Sequence, residues 1–189
     1  DDDTDAALLE LEDELLNLGD GDGVDRSERF VHEQEFRLSD ECACDLQAPA
    51  LAATDSAGEP ASLDAWRGRP LFLTFWSDGC SSCVAEMKEL EKLTQANDGR
   101  IVVVAVNVDA EPPDMRELRQ RLSLSFPLLR DSLGISKERY DVAGTPTSVL
   151  IDAQGRILSR YVGMRTRDEL AGDFAALNAS ARTSAAPGT

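Results

Sequence analysis

The stretch Pro70-Leu-Phe-Leu-Thr-Phe-Trp76-Ser-Asp-Gly79-Cys80-Ser-Ser-Cys83 constrains the fold more than any other, because two cysteines join an apolar run to a helical pattern. The run Pro70–Trp76 reads as a buried strand. From Cys83 to about Ala96, Val84, Met87, Leu90 and Leu93 recur at helical spacing. The Cys-x-x-Cys spacing puts Cys80 at the first turn of that helix, where unpaired N–H groups and the positive dipole end favour a thiolate. Cys83, one turn on, lies within reach for a disulfide. A nucleophilic thiol with a resolving partner beside it is the minimal equipment for thiol–disulfide exchange. A zinc half-site fits less well, since no second Cys-x-x-Cys or His pair exists and the only histidine is His32. A purely structural disulfide is also a poor fit at a strand-to-helix junction.

Charge narrows the partners. Residues 1–45 carry 17 acidic side chains against 3 arginines, a net of −14, while residues 46–189 carry 19 against 16, a net of −3. The front of the chain is therefore acidic and the remainder nearly balanced. Nucleic acid and anionic membrane surfaces are excluded as electrostatic partners, because both call for basic patches. No apolar window reaches the length of a membrane span. With neither a leader sequence nor an initiator Met in view, the chain reads as a mature form whose export signal or anchor lies outside it. Two close cysteine pairs, Cys42/Cys44 and Cys80/Cys83, suit an oxidising, extracytoplasmic compartment.

The order of elements follows from local patterns, and three segments are expected: an acidic extension (1–45), a domain (46–179) and a flexible tail (180–189). In the extension, Leu8, Leu11, Leu15 and Leu18 form one face of a helix over 6–18, and 29–38 has strand character. Asp20-Gly-Asp-Gly-Val-Asp25 lacks the ligand pattern of a calcium loop and reads as a solvated turn. The domain opens with a hairpin over 51–63, then a helical turn at 63–68 and the motif strand and helix. Ile101–Val108, apolar without alternation, reads as a central parallel strand. A helix over 113–122, a short strand at 126–129 and a helical turn at 134–140 follow. Strands at 145–151 and 156–162 joined by Asp152-Ala-Gln-Gly155 precede a final helix from Thr166 to about Asn178. This order predicts one three-layer α/β domain with a mixed sheet.

These features together resemble the thioredoxin superfamily, and within its redoxin group the exported TlpA/ResA/CcmG branch. Ala48-Pro49, Leu63 to Pro70, Phe75-Trp76, Cys80-x-x-Cys83-x-x-Glu86-Met87 and Gly144-Thr145-Pro146-Thr147 carry the resemblance, over roughly Ala48 to Leu177. It implies a thioredoxin-like α/β/α fold with an extra α/β insert at Asp109–Leu129 and a cis bond before Pro146. It also implies an extracytoplasmic location and a thiol protein as electron donor. The implied substrate is a protein disulfide, such as that of apocytochrome c or of a protein that receives copper. Two departures stand out: Gly79 where the family has Trp, and Ser81-Ser82 where Pro is usual. Thr74 occupies the place of the buried acid of cytoplasmic thioredoxins, which passes proton handling to Glu86.

The expected mechanism has Cys80 attack a disulfide, Cys83 resolve the mixed disulfide and Glu86 take or return protons. Thr145 and Pro146 would present backbone to a substrate strand, with Gly79 lining the groove and Trp76 serving as core and groove wall. No cofactor or resident metal is required. Asp78 and Glu86 near the thiols, without a neighbouring cation, favour a reductant over an oxidant or isomerase. For Cys42 and Cys44 three readings stay open: an accessory redox pair, a soft-metal site with His32, and an incidental pair. A copper-delivery module built on both cysteine pairs is the non-enzymatic rival. A peroxiredoxin is disfavoured, because no Pro-x-x-x-Thr-x-x-Cys run precedes Cys80.

Overall fold

The computed structural model describes residues 47–184. The expected helix over 6–18, the strand at 29–38, His32, Cys42 and Cys44 lie outside the described residues.

Seven strands form one mixed sheet. In chain order they are β1 (Ala53–Thr54), β2 (Pro60–Ala61), β3 (Leu71–Trp76), β4 (Val102–Asn107), β5 (Leu128–Arg130), β6 (Thr147–Ile151) and β7 (Ile157–Val162). Across the sheet the order is β2-β1-β5-β4-β3-β6-β7. β3, β4 and β5 run parallel, while β6 and β7 pair antiparallel beyond β3. The expected hairpin forms at one edge, where β1 pairs antiparallel with β2 and with β5. The segment read as an insert supplies both a helix and β5, and β5 lies inside the sheet between β1 and β4.

The pleat divides the core in two. Every residue of β3 and β4 is buried, and alternate side chains go to opposite faces. Phe72 and Trp76 of β3, Val103 and Ala105 of β4 and Leu150 of β6 enter one cluster. Leu71, Leu73 and Phe75, Val102, Val104 and Val106, and Val149 enter the other. Helices α1 (Ser81–Ala96), α2 (Met115–Leu122) and α4 (Arg167–Ser184) cover the first face with Met87, Leu90, Leu118, Phe174 and Leu177. Tyr140 and Val142, which follow the short α3 (Ile135–Arg139), cover the second face together with Leu51 and Trp66. The result is the expected α/β/α arrangement.

Helix ends follow from capping chemistry. Asp114 caps α2 by accepting from the N–H groups of Arg116 and Glu117. Thr166 and Glu169 form a reciprocal capping box at the start of α4: the Thr166 N–H donates to Glu169 Oε2 at 2.7 Å, and the Glu169 N–H donates to Thr166 Oγ1 at 3.4 Å. That helix runs to Ser184 rather than ending near Asn178, so part of the expected tail is helical. The alanines after Leu177 carry little helical penalty and let the helix extend past its last core contact.

Candidate active site

Cys80 is the N-cap of α1, and its sulfur accepts from the Cys83 N–H at 3.2 Å. The two cysteines form a disulfide with S–S 2.06 Å. They are unequal. Cys83 is 1% exposed, packed beside Met87 and Leu90, whereas Cys80 is half-buried at the sheet's C-terminal edge. Only Cys80 is open to attack from outside, and only Cys83 is sheltered enough to wait. Ser82 Oγ lies 3.3 Å from Cys80 Sγ. A disulfide sulfur carries no proton, so the hydroxyl is the donor in this pair.

The loop before the cysteines is latched at two points. Ser77 Oγ hydrogen-bonds Thr145 Oγ1 at 2.8 Å. The Asp78 N–H donates to Asp109 Oδ2 at 2.6 Å, and that same oxygen accepts from Asn107 Nδ2 at 2.8 Å. Gly79 has φ +75°, and a Cβ built there would meet open space. At this φ an L side chain would be strained although it would meet no neighbour, so a substitution here is limited by the backbone rather than by space.

The Thr145–Pro146 bond is cis, and the Thr145 carbonyl oxygen lies 3.8 Å from Cys80 Sγ. Thr147 Oγ1 donates to the Gly144 carbonyl at 2.7 Å, and the Gly163 N–H donates to the Pro146 carbonyl at 2.8 Å. Cys80, Thr145, Pro146 and Gly79 thus gather at one edge. Trp76, at 1% exposure, lies in the core beneath this edge, which agrees with the core half of its expected role.

Glu86 sits one helical turn beyond Cys83 and is 1% exposed. Its Oε1 accepts from Thr74 Oγ1 at 3.4 Å and from Ser148 Oγ at 3.3 Å, and its Oε2 accepts from the Arg165 N–H at 2.8 Å. Burial pushes the carboxyl above its ordinary range, and the three donors pull against that. Thr74 thus still serves an acid, but the acid now arrives from the helix.

Sequence reasoning passed over Asn107, Asp109, Ser148 and Arg165. Asn107 had a signal, being the one amide in the apolar run 101–108. The other three had none, since the contacts that tie them to the site run from Asp109 to Asp78, from Ser148 to Glu86 and from Arg165 to Glu86, across 31, 62 and 79 residues. Among the described residues, no group of three or more His, Cys, Asp or Glu side chains is placed to hold a metal ion.

A paired thiol capping a helix, half-open beside a cis-proline loop at the edge of a thioredoxin-like sheet, defines a thiol–disulfide oxidoreductase. The chain belongs to the redoxin family, whose pattern matches residues 44–178, and its features are those of the TlpA/ResA/CcmG branch. The thioredoxin-like protein YneN of Bacillus subtilis is 33% identical over 127 residues, covering 66% of this chain and 74% of YneN. The thiol-disulfide oxidoreductase ResA of Bacillus thuringiensis subsp. konkukian is 27% identical over 142 residues, covering 75% of this chain and 79% of ResA. A secreted Mycobacterium tuberculosis disulfide oxidoreductase homologous to E. coli DsbE matches the fold with a TM-score of 0.60 at 28% identity, over 69% of this chain and 96% of that one.

Proposed function

We propose that this protein reduces disulfides in other proteins outside the cytoplasm. Cys80 is the attacking thiol, Cys83 the resolving thiol and Glu86 the group that holds the transferred proton. The inequality of the two sulfurs carries this reading: one faces outward beside the Thr145 carbonyl, and the other is sealed in the core one turn from a buried carboxylate. In the first step Cys80 displaces one sulfur of the substrate disulfide. In the second, Cys83 attacks Cys80, releases the other sulfur and leaves the Cys80–Cys83 disulfide. An upstream thiol protein then restores the dithiol.

The direction rests on electrostatics. Glu86 is an anion-forming group close to Cys83, and the guanidinium of Arg165 is engaged by Asp173 and Glu169 rather than by sulfur. A reduced state without cationic support has a low potential. The Thr145 backbone beside Pro146 is the docking edge for an extended substrate segment. The substrate assigned on the TlpA/ResA/CcmG resemblance is a cysteine-bearing apoprotein awaiting haem or copper. The secreted relative from Mycobacterium tuberculosis supports the extracytoplasmic placement.

Trapping tests the assignment. A Cys83→Ser protein should hold its substrate as a mixed disulfide on Cys80, releasable by a small thiol. Recovery of apocytochrome c or a copper-site apoprotein supports the substrate class; adducts confined to other proteins refute it. A Cys80/Cys83 potential as oxidising as about −120 mV would exclude the reductant direction.

A further inference from the structure

The four-residue segment between β7 and α4 reaches the site at two points, although no element of the Cys-x-x-Cys motif belongs to it. Its Gly163 N–H holds the Pro146 carbonyl at 2.8 Å, and its Arg165 N–H holds Glu86 Oε2 at 2.8 Å. What fixes this segment is the Arg165 side chain. Its Nε and one terminal nitrogen donate to the two oxygens of Asp173 at 3.2 and 3.1 Å, and the other terminal nitrogen donates to Glu169 Oε1 at 3.2 Å. The guanidinium carbon lies 3.7 Å from the centre of the Tyr161 ring. The side chains of Arg165 and Asp173 are 17% and 5% exposed. Such a sheltered pair pays heavily in lost hydration and is weak evidence for stability, so its geometry asks for another use.

We propose that Arg165 is a positioning residue for the resolving step: locked onto Asp173, it holds its own backbone N–H against Glu86 and thereby sets the proton affinity of the carboxylate that serves Cys83. The inference rests on the reading of Glu86 given above. Among the described residues, the groups facing that carboxylate are few. β3 offers the Thr74 hydroxyl and β6 the Ser148 hydroxyl, both neutral. Its own helix carries Cys83 one turn back. The segment after β7 brings Arg165, the cation acting on Glu86, while Asp173, Glu169 and Tyr161 face the guanidinium.

In the resolving step the Cys83 thiol gives its proton to the Glu86 carboxylate, and the freed electron pair forms the bond to Cys80 Sγ. The bond from Cys80 to the bound sulfur breaks, and that sulfur leaves with the electron pair. In this step Cys83 is oxidised to the disulfide level, Cys80 stays at that level, and the departing sulfur is reduced to a thiolate. Glu86 must be ionised to accept, so the rate rises with pH through the titration of that carboxyl. Loosening the Arg165 N–H removes a donor to the charged form and moves that rise to higher pH.

The test uses the reduced full-length chain with 5,5′-dithiobis(2-nitrobenzoate), which leaves thionitrobenzoate on Cys80 and needs no proton on departure. Acid-quenched samples analysed by peptide mass spectrometry follow loss of the Cys80 adduct at each pH, independently of other cysteines. Arg165→Ala and Asp173→Asn should each shift the rising limb upward by about one pH unit, a roughly tenfold slowing below the limb with the plateau retained. Arg165→Lys should restore part of the shift. A limb that stays in place in both variants, or a plateau that falls without a shift, overturns the proposal. Glu86→Gln separates the two levels of the argument: loss of the limb supports Glu86 as the titrating group, and a limb that survives refutes that reading and this one with it.

Discussion

Replacing Glu86 by Gln should stabilise the oxidised protein, and the gain should depend on pH. The carboxyl is 1% exposed, with three donors that do not compensate for its lost hydration, so its folded titration lies above the ordinary 4.5. The fold therefore binds this proton more tightly than the unfolded chain does. Stability from that proton is complete below the unfolded value and is lost as pH rises through the folded one. Each unit of displacement costs about 1.4 kcal/mol once the group is ionised. Glutamine keeps the shape, accepts from the Arg165 N–H and carries no charge, so it escapes the loss. The difference in Tm between variant and parent should be near zero at pH 4 and grow with pH. It should level off at roughly 3–6 °C for each unit of displacement, given about 2–4 °C per kcal/mol for a chain of this size. The pH of levelling reads the folded titration of Glu86 directly. Asp173, also raised by burial, titrates in both proteins and cancels from the difference. Calorimetry across pH 4–9 makes the measurement. A difference independent of pH, or a variant that loses stability as pH rises, would refute the burial argument.

Gly79→Ala should destabilise the protein by about 1–2 kcal/mol through its left-handed φ, with no clash to relieve, and thermal unfolding checks this. Asp109→Ala should cost about 1–3 kcal/mol, because it strips the partner from the Asn107 amide, which is 0% exposed, and frees the Asp78 loop. Its denaturation midpoint should fall with unchanged slope, and Cys80 should attack insulin more slowly.

The parts of the site that are local in sequence were legible from it. Apolar runs announced β3 and β4 because both faces of those strands are covered, and the spacing of Cys80 and Cys83 placed both on one helix start. Thr166 announced a helix start because the capping box closes within four residues. Glu86 was readable as a participant but not as a buried one, since its donors Ser148 and Arg165 come from 62 and 79 residues away. Separation along the chain also hid the Asp109 latch on Asp78, 31 residues off.

The central claim is that one sulfur is half-open and reactive while its partner is held in reserve. Timed alkylation of the freshly reduced protein, read at each cysteine by peptide mass spectrometry, tests it most directly. The account predicts that Cys80 is modified first and that Cys83 stays protected in the native state. Modification of Cys83 ahead of Cys80, or an inert Cys80, would contradict it.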